Sequence, residues 1–358
     1  MTDNLDAQPE APDDEKKQSR KGQIIATIVT IVTLVIVFAV VFPQLADYGD
    51  VWTTIQTLSG LVLGVLILAT IANIFIYVWP FQAALPGIPY GPAFVVRQTS
   101  FTISNGIPGG GAIGLALQYS MLGGYGFGSG PATATIGITS VWNMLVTLAL
   151  PVLAVLGLAL VGDLQSWAIV AAVVGLVVVG LAIGLLVLVF RSEPAARRVG
   201  EIGDRLLTKL TGLVHKTLSF SLMDLILNFR TSTVDVVQRR AAAITLANVV
   251  QQITQFLILF IALRGIQADA SMQTTLAEAF AAFAVGRLGS FIPLTPGGLG
   301  TVDAMITGIL VAFGANEADA LAATLVWRAA TYFPQLFLGM GTFLFWRHGR
   351  AKRARAAA

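Results

Sequence analysis

Cysteine is absent from this chain, and histidine and charged residues are scarce. The 358 residues include no Cys, so there is no disulfide framework and no thiolate chemistry. The two His lie far apart and have no partners at metal-ligand spacing. Only 11% of the residues are charged, against about 25% in an ordinary soluble domain. We therefore predict no metal site, no cofactor and no enzymatic activity.

Apolar residues make up 56% of the sequence and gather in long runs. Several runs approach or exceed the roughly 18 residues that indicate a membrane helix. We predict an all-α polytopic membrane protein with six full spans, at residues 23–42, 54–79, 131–161, 167–190, 245–263 and 319–346. The second span ends in Tyr77 and Trp79, which we interpret as residues of the membrane interface.

The charged residues indicate how the chain is oriented. Residues 1–22 form a disordered polar tail, residues 191–240 a basic amphipathic segment and residues 347–358 a basic tail. If both termini are cytoplasmic, all three basic regions lie inside and the outer loops are mainly acidic, as the positive-inside rule requires. The net charge of +3 thus reflects topology, and we expect no nucleic-acid partner.

Two apolar segments, 93–122 and 277–314, are interrupted by proline and glycine. A helix that breaks inside the membrane exposes polar backbone groups, which is tolerated only within protein or beside a water-filled cavity. The first leg of segment 93–122 is shorter than the roughly 20 residues that a crossing helix needs. We interpret both as re-entrant helical hairpins. Their predicted tips are Pro108, Gly109, Gly110 and Gly111, and Pro296, Gly297, Gly298 and Gly300.

The hairpins divide the membrane region into two similar halves. Residues 23–190 contain the first half, and the second begins at 167 and is completed by 241–346. Two spans precede each hairpin and one follows it, so the second half is inverted. An inverted repeat with broken helices is typical of secondary transporters, and opposed helix ends would present N–H dipoles to an anion. If each hairpin were instead two crossing helices, the loop charges would fit equally well.

Charged residues in the membrane are costly and mark bound polar groups. The predicted substrate-binding residues are Arg287, Arg328, Asp303, Arg97, Asn105 and Tyr332. Arginine provides a planar, bidentate fork for phosphate. Asp303 could pair with Arg287 or with Arg328, or couple protons, but it cannot neutralise both arginines. The surplus positive charge favours an anionic head group. Alternatively, Arg97 could snorkel to the membrane surface and Asn105 could join helices.

Three motifs resemble a known family: Asn105-x-x-Pro108-Gly109-Gly110-Gly111 with Tyr119, then Phe291-x-Pro-x-x-Pro296-Gly297-Gly298-Leu299-Gly300-x-x-Asp303, and Arg328-x-x-x-Tyr332-x-Pro334. They look like the membrane region of lysylphosphatidylglycerol synthases and its stand-alone, flippase-like relatives, over about residues 24–346. The resemblance implies movement of polar lipids between leaflets of a prokaryotic cell membrane. The first motif lacks the Arg and Glu of the commoner pattern. No room is left for an aminoacyl-transfer domain, so we do not expect lysyl transfer.

Two functions follow as hypotheses. The first is a flippase for an anionic or phosphate-bearing lipid, such as a phospholipid, an aminoacyl-phospholipid or a polyprenyl or glycolipid intermediate. The alternative is a non-catalytic scaffold or partner subunit of a lipid- or cell-envelope-processing enzyme. Such a scaffold would dock through the basic amphipathic helix at 199–218. The expected partners are anionic membrane lipids and, in the alternative, a lipid-synthesis enzyme.

Overall fold

The structure is a computed structural model that describes residues 28, 48–107, 110–161, 166–212, 222–267, 273–292 and 295–357. These residues form helices and no strand. The helices are α1 (Tyr48–Gln56), α2 (Gly60–Ile76), α3 (Trp79–Ala84), α4 (Tyr90–Gly106), α5 (Gly110–Gly124), α6 (Ser129–Val161), α7 (Ser166–Arg191), α8 (Glu193–Gly212), α9 (Leu222–Ile266), α10 (Leu276–Leu288), α11 (Thr301–Ala312) and α12 (Glu317–Ala357). The predicted tail 1–22, nearly all of span 23–42, and Pro108 and Gly109 lie outside the described residues.

Three helical stretches of the described chain are long and apolar enough to cross a membrane: Gly60–Ala84, Ser129–Leu160 and Ile226–Ile266. Many large apolar side chains point outward, and Leu61 and Leu160 are 79% and 90% exposed. An apolar surface of this extent indicates contact with lipid rather than water. The protein is therefore an all-α polytopic membrane protein, as the sequence predicts.

Some helix boundaries differ from the predicted ones. The predicted span 54–79 is divided among α1, α2 and α3. The first break lies at Ser59, whose hydroxyl caps α2 by accepting a 3.3 Å hydrogen bond from the Val62 N–H. Helix α9 begins at Leu222, well before the predicted boundary at 240, since no proline or glycine interrupts residues 222–264. Helix α12 likewise continues through the predicted basic tail to Ala357.

Two pairs of helices form tight hairpins, α4 with α5 and α10 with α11. A Cβ atom on Gly110 would collide with the Ile103 carbonyl oxygen, and one on Gly286 would collide with the Ile306 side chain. Small residues at these points let the two legs approach closely. Two short 3-10 turns, Gly289–Phe291 and Pro296–Gly298, join α10 to α11. In both broken segments, therefore, the two helical legs pack against each other.

The helix that follows each hairpin packs against the first leg of the other one. Helix α6 follows the first hairpin and contacts α10, and α12 follows the second and contacts α4. In the second contact, the Thr99 and Thr342 hydroxyl oxygens lie 2.9 Å apart. A Cβ atom on Gly339 would collide with the Gln98 carbonyl, so the two helices are in close contact there. This reciprocal packing brings the two hairpins together in one bundle.

Candidate functional site

A buried ion pair lies where the second hairpin meets α12. The Arg328 Nε and the Asp303 Oδ1 are 2.6 Å apart, and the two residues are 8% and 1% exposed. The other carboxylate oxygen accepts a 2.8 Å hydrogen bond from the Gly300 N–H at the start of α11. The positive end of the helix dipole favours a carboxylate at this position. Of the two ion-pair partners that the sequence allows for Asp303, the structure selects Arg328.

The tip of the second hairpin surrounds the Arg328 guanidinium. Its Nη1 and Nη2 atoms donate to the carbonyl oxygens of Gly297 and Gly298, at 3.4 and 3.5 Å. Gly297, Gly298 and Gly300 have φ values of 64°, 66° and 83°, which side-chain-bearing residues rarely adopt. The glycines are therefore needed for the turn that directs two carbonyl groups at the arginine.

The two hairpins meet at this tip. The Tyr332 hydroxyl donates a 2.5 Å hydrogen bond to the Asn105 carbonyl, near the end of α4. The Asn105 side chain donates to the Phe101 carbonyl at 2.9 Å, one turn earlier. A Cβ atom on Gly297 would lie 2.8 Å from the Tyr332 ring and 3.1 Å from the Asn105 side-chain oxygen. The structure thus brings Asn105, Gly297 and Tyr332 together.

Two further arginines lie here without a carboxylate within 4 Å in the described part of the chain. The Arg97 guanidinium carbon lies 4.5 Å from the centre of the Tyr77 ring and 5.6 Å from that of Phe81. Arg287 is partly buried and close enough to Arg328 and Tyr77 to interact electrostatically with both. The Nε atoms of Arg97 and Arg287 are buried and find no hydrogen-bond acceptor among the described residues. Of these three arginines, Arg328 alone has a carboxylate partner among the described residues.

Tyr77 belongs to this site, a role that the interfacial interpretation of its sequence position missed. Its ring lies 5.6 Å from Phe101, and the Phe101 ring lies 5.8 Å from Tyr332. Aromatic contacts therefore connect the ring beneath Arg97 with the ring beside Arg328. An aromatic residue at the end of an apolar run is typical of a membrane interface. Only the tertiary structure, which places Tyr77 against Arg97 and Phe101 of α4, reveals this contact.

Three buried amide side chains were also missed. Asn73 and Gln98 are fully buried and Gln335 is 1% exposed, yet each has one polar atom without a partner among the described residues. Gln98 lies beside Asn73, since its Nε2 donates to the Ile74 carbonyl at 3.4 Å. Buried polar atoms are normally hydrogen-bonded, so water or a ligand is expected beside them. Their position as amide residues within apolar segments could have indicated from the sequence that they are buried polar groups.

The other predicted tip residues have different roles. Gly110 is buried and provides the close contact between the legs of the first hairpin. Gly111 has open space around its Cα, and Pro296 begins the second 3-10 turn. Within the ranges that the structure describes, no group of three or more His, Asp or Glu side chains could hold a metal ion.

The family described as the lysylphosphatidylglycerol synthase TM region matches residues 24–339. The chain belongs to this family. The matched residues contain both hairpins and all four charged residues of the site, and the match confirms the resemblance predicted from the three motifs. A search of curated proteins finds no match to this chain.

Proposed function

We propose that this protein carries an anionic or phosphate-bearing lipid between the two leaflets of its membrane and catalyses no chemical reaction. One observation supports this most: Asp303 pairs with Arg328, and Arg97 and Arg287 have no carboxylate within 4 Å among the described residues. A charge buried without a partner is strongly destabilising. An anionic head group would supply the missing negative charge. Membership of a family named for a lipid-modifying synthase favours a lipid as its source.

In this proposal the residues of the site have two roles, to position Arg328 and to bind the head group. Asp303 and the second tip hold Arg328 in place through one charged and two carbonyl contacts. The Nε atoms of Arg97 and Arg287 have no acceptor among the described residues, and both arginines interact with Tyr77, Arg97 through its ring and Arg287 electrostatically. Guanidinium groups bind phosphate through paired hydrogen bonds, so these two arginines would bind the head group. The lipid tails would remain in the bilayer.

The reciprocal packing of the hairpins supports movement by alternating exposure. Each hairpin contacts the helix that follows the other, and the two tips meet at Asn105 and Gly297. We propose that the hairpins are re-entrant, that six full spans and an inverted repeat surround them, and that the two halves rock about the tips. Both termini would face the cytoplasm of a prokaryotic cell. The scaffold hypothesis predicts instead that the protein functions without the arginine site.

The test is lipid exchange between leaflets in liposomes. Purified protein is reconstituted with head-group-labelled anionic lipids, and an impermeant quencher reports the fraction of label in the outer leaflet over time. We expect exchange well above that of protein-free liposomes. Arg287→Gln and Arg97→Gln should each slow it about tenfold or more, because a hydrogen bond to a charged group contributes about 1.5–3 kcal/mol. Arg198→Gln is the matched control, since Arg198 is exposed on α8.

The possible results separate the hypotheses. If folded protein exchanges none of a panel of phospholipids and polyprenyl phosphates, the flippase is wrong and the scaffold is supported. If exchange occurs and survives both substitutions, the function stands and the arginine site is wrong. Loss of exchange in the two site variants, with normal exchange in the control, supports both.

A further inference from the structure

An apolar groove of about 830 Å³ lies between α6, α7 and α9. It shares no residue with the arginine site. Along α9 its lining extends from Val237 to Ile253, a distance of about 24 Å at about 1.5 Å per residue. A single leaflet provides about half of the roughly 30 Å hydrocarbon core. The groove is therefore long enough to accept an entire lipid tail, and its volume lies in the ordinary range of ligand sites, about 300–1,000 Å³.

The lining suits a hydrocarbon chain along most of its length. Aliphatic and aromatic side chains from all three helices predominate, among them Leu145, Ala149, Leu186, Phe190, Ala241 and Val249. Trp142 also lines the groove, and its indole N–H is satisfied by the Thr245 hydroxyl at 2.9 Å. The polar atom of the tryptophan is thus occupied, which leaves the ring free to contact an apolar ligand.

The two ends of the groove differ in polarity. Arg191, the last residue of α7, is exposed and is the one charged residue that the described part of the chain contributes to the lining. Gln252 lies in the lining near the other end and is 2% exposed; its Nε2 donates to Thr147, and its Oε1 finds no donor among the described residues. A cation at one end matches an anionic head group, and a polar side chain at the other sets a boundary for the tail.

We infer that this groove binds one acyl chain of an anionic phospholipid, with the phosphate of the head group at Arg191. The inference rests on the proposed function, because the lipid held here is the lipid that the arginine site carries. The groove holds the lipid before its head group moves to the arginine site, which keeps the lipid attached to the protein. Binding of this kind is saturable and selective for charge, whereas ordinary contact with bilayer lipid is neither.

The test uses the full chain in liposomes with a phospholipid that carries a photoreactive diazirine in one acyl chain. Labelled peptides are identified by mass spectrometry, with phosphatidylglycerol as the anionic probe and phosphatidylcholine as the zwitterionic one. We expect labels on the groove faces of α6 and α9 and a severalfold preference for the anionic probe. Arg191→Gln should remove the preference without changing the fold, and Arg198→Gln should retain it.

Filling the groove provides a second, independent measurement. Ala241→Trp and the milder Ala149→Leu occupy space in the lining, whereas Leu181→Trp adds a ring on α7 at a residue that is 63% exposed and outside the groove. We expect groove labelling to fall about tenfold in Ala241→Trp, to fall less in Ala149→Leu, and to stay unchanged in Leu181→Trp. Labels spread evenly over the outer surface, or equal labelling by both probes, would overturn the inference.

Leaflet exchange is measured on the same preparations, so that the two proposals can fail separately. Selective groove labelling without any exchange would support the lipid site and overturn the flippase. Exchange without groove labelling would support the flippase and overturn the acyl-chain site.

Discussion

The hydroxyl of Tyr332 donates a 2.5 Å hydrogen bond to the backbone carbonyl of Asn105. The bond joins α12, which follows the second hairpin, to the end of α4 in the first hairpin. The Tyr332 ring also lies 5.8 Å from the Arg328 guanidinium carbon. The central arginine is therefore positioned by both hairpins, and a change in one hairpin is expected to alter the site in the other.

Tyr332→Phe tests this connection, because it removes one hydroxyl and leaves the ring in place. A typical hydrogen bond contributes about 0.5–1.5 kcal/mol, so we expect leaflet exchange to fall by about two- to tenfold. The melting temperature in detergent should change only slightly. Tyr119→Phe, which removes the 3.0 Å hydrogen bond to Thr133 away from the tips, is the matched control. Equal exchange rates in the two variants would contradict the prediction.

Asp303→Asn is expected to destabilise the protein by about 3–5 kcal/mol, because it leaves the buried Arg328 without its counter-charge. Thermal unfolding in detergent measures the loss. The double variant Asp303→Asn/Arg328→Gln should lose less than the sum of the two single variants, since neither charge then remains unpaired. Arg287→Gln should cause little destabilisation, because no carboxylate of the described chain lies within 4 Å of it. If the double variant loses as much stability as the two single variants together, Asp303 and Arg328 do not stabilise each other.

Gly297→Ala and Gly111→Ala compare two predicted tip glycines. At Gly297 the φ of 64° costs an L residue roughly 1–2 kcal/mol, and the new Cβ would lie 2.8 Å from the Tyr332 ring. Gly111 lies in α5 with nothing within 4 Å of a new Cβ, so alanine there should be neutral or stabilising. We expect a lower melting temperature and slower exchange for Gly297→Ala alone. Similar behaviour of the two variants would argue against the strained turn.

A disulfide between Thr99→Cys and Thr342→Cys tests whether the two halves must move. The native hydroxyl oxygens lie 2.9 Å apart on α4 and α12, and the chain has no other cysteine to interfere. We expect oxidation to stop leaflet exchange and reduction to restore it, because alternating exposure requires the halves to rock. Each single cysteine variant serves as the control under the same oxidant. Normal exchange by fully cross-linked protein would show that this contact stays closed during transport.

Much of the architecture could be predicted from the sequence. Long apolar runs with few charges require membrane helices, and the breaks near Gly110 and Gly297 end helices whatever the rest of the chain does. The extent of α9 could not be predicted well, because residues 222–244 are too polar to resemble a span. Their continuation as one helix depends on packing against α8 and α3. Helix α3 lies far earlier in the sequence, and its Gln82 and Ala83 carbonyls accept hydrogen bonds from Arg240.

The candidate site, too, could be predicted from the sequence only in part. The sequence alone predicts Arg97, Arg287, Asp303 and Arg328 as candidate site residues, because a charge inside an apolar segment is costly wherever the segment lies. The tertiary structure decided that Asp303 pairs with Arg328, that Tyr77 lies beneath Arg97, and that the Asn105 carbonyl receives the Tyr332 hydroxyl. Composition acts residue by residue along the chain, whereas these contacts join residues up to 227 positions apart and depend on how the two hairpins pack.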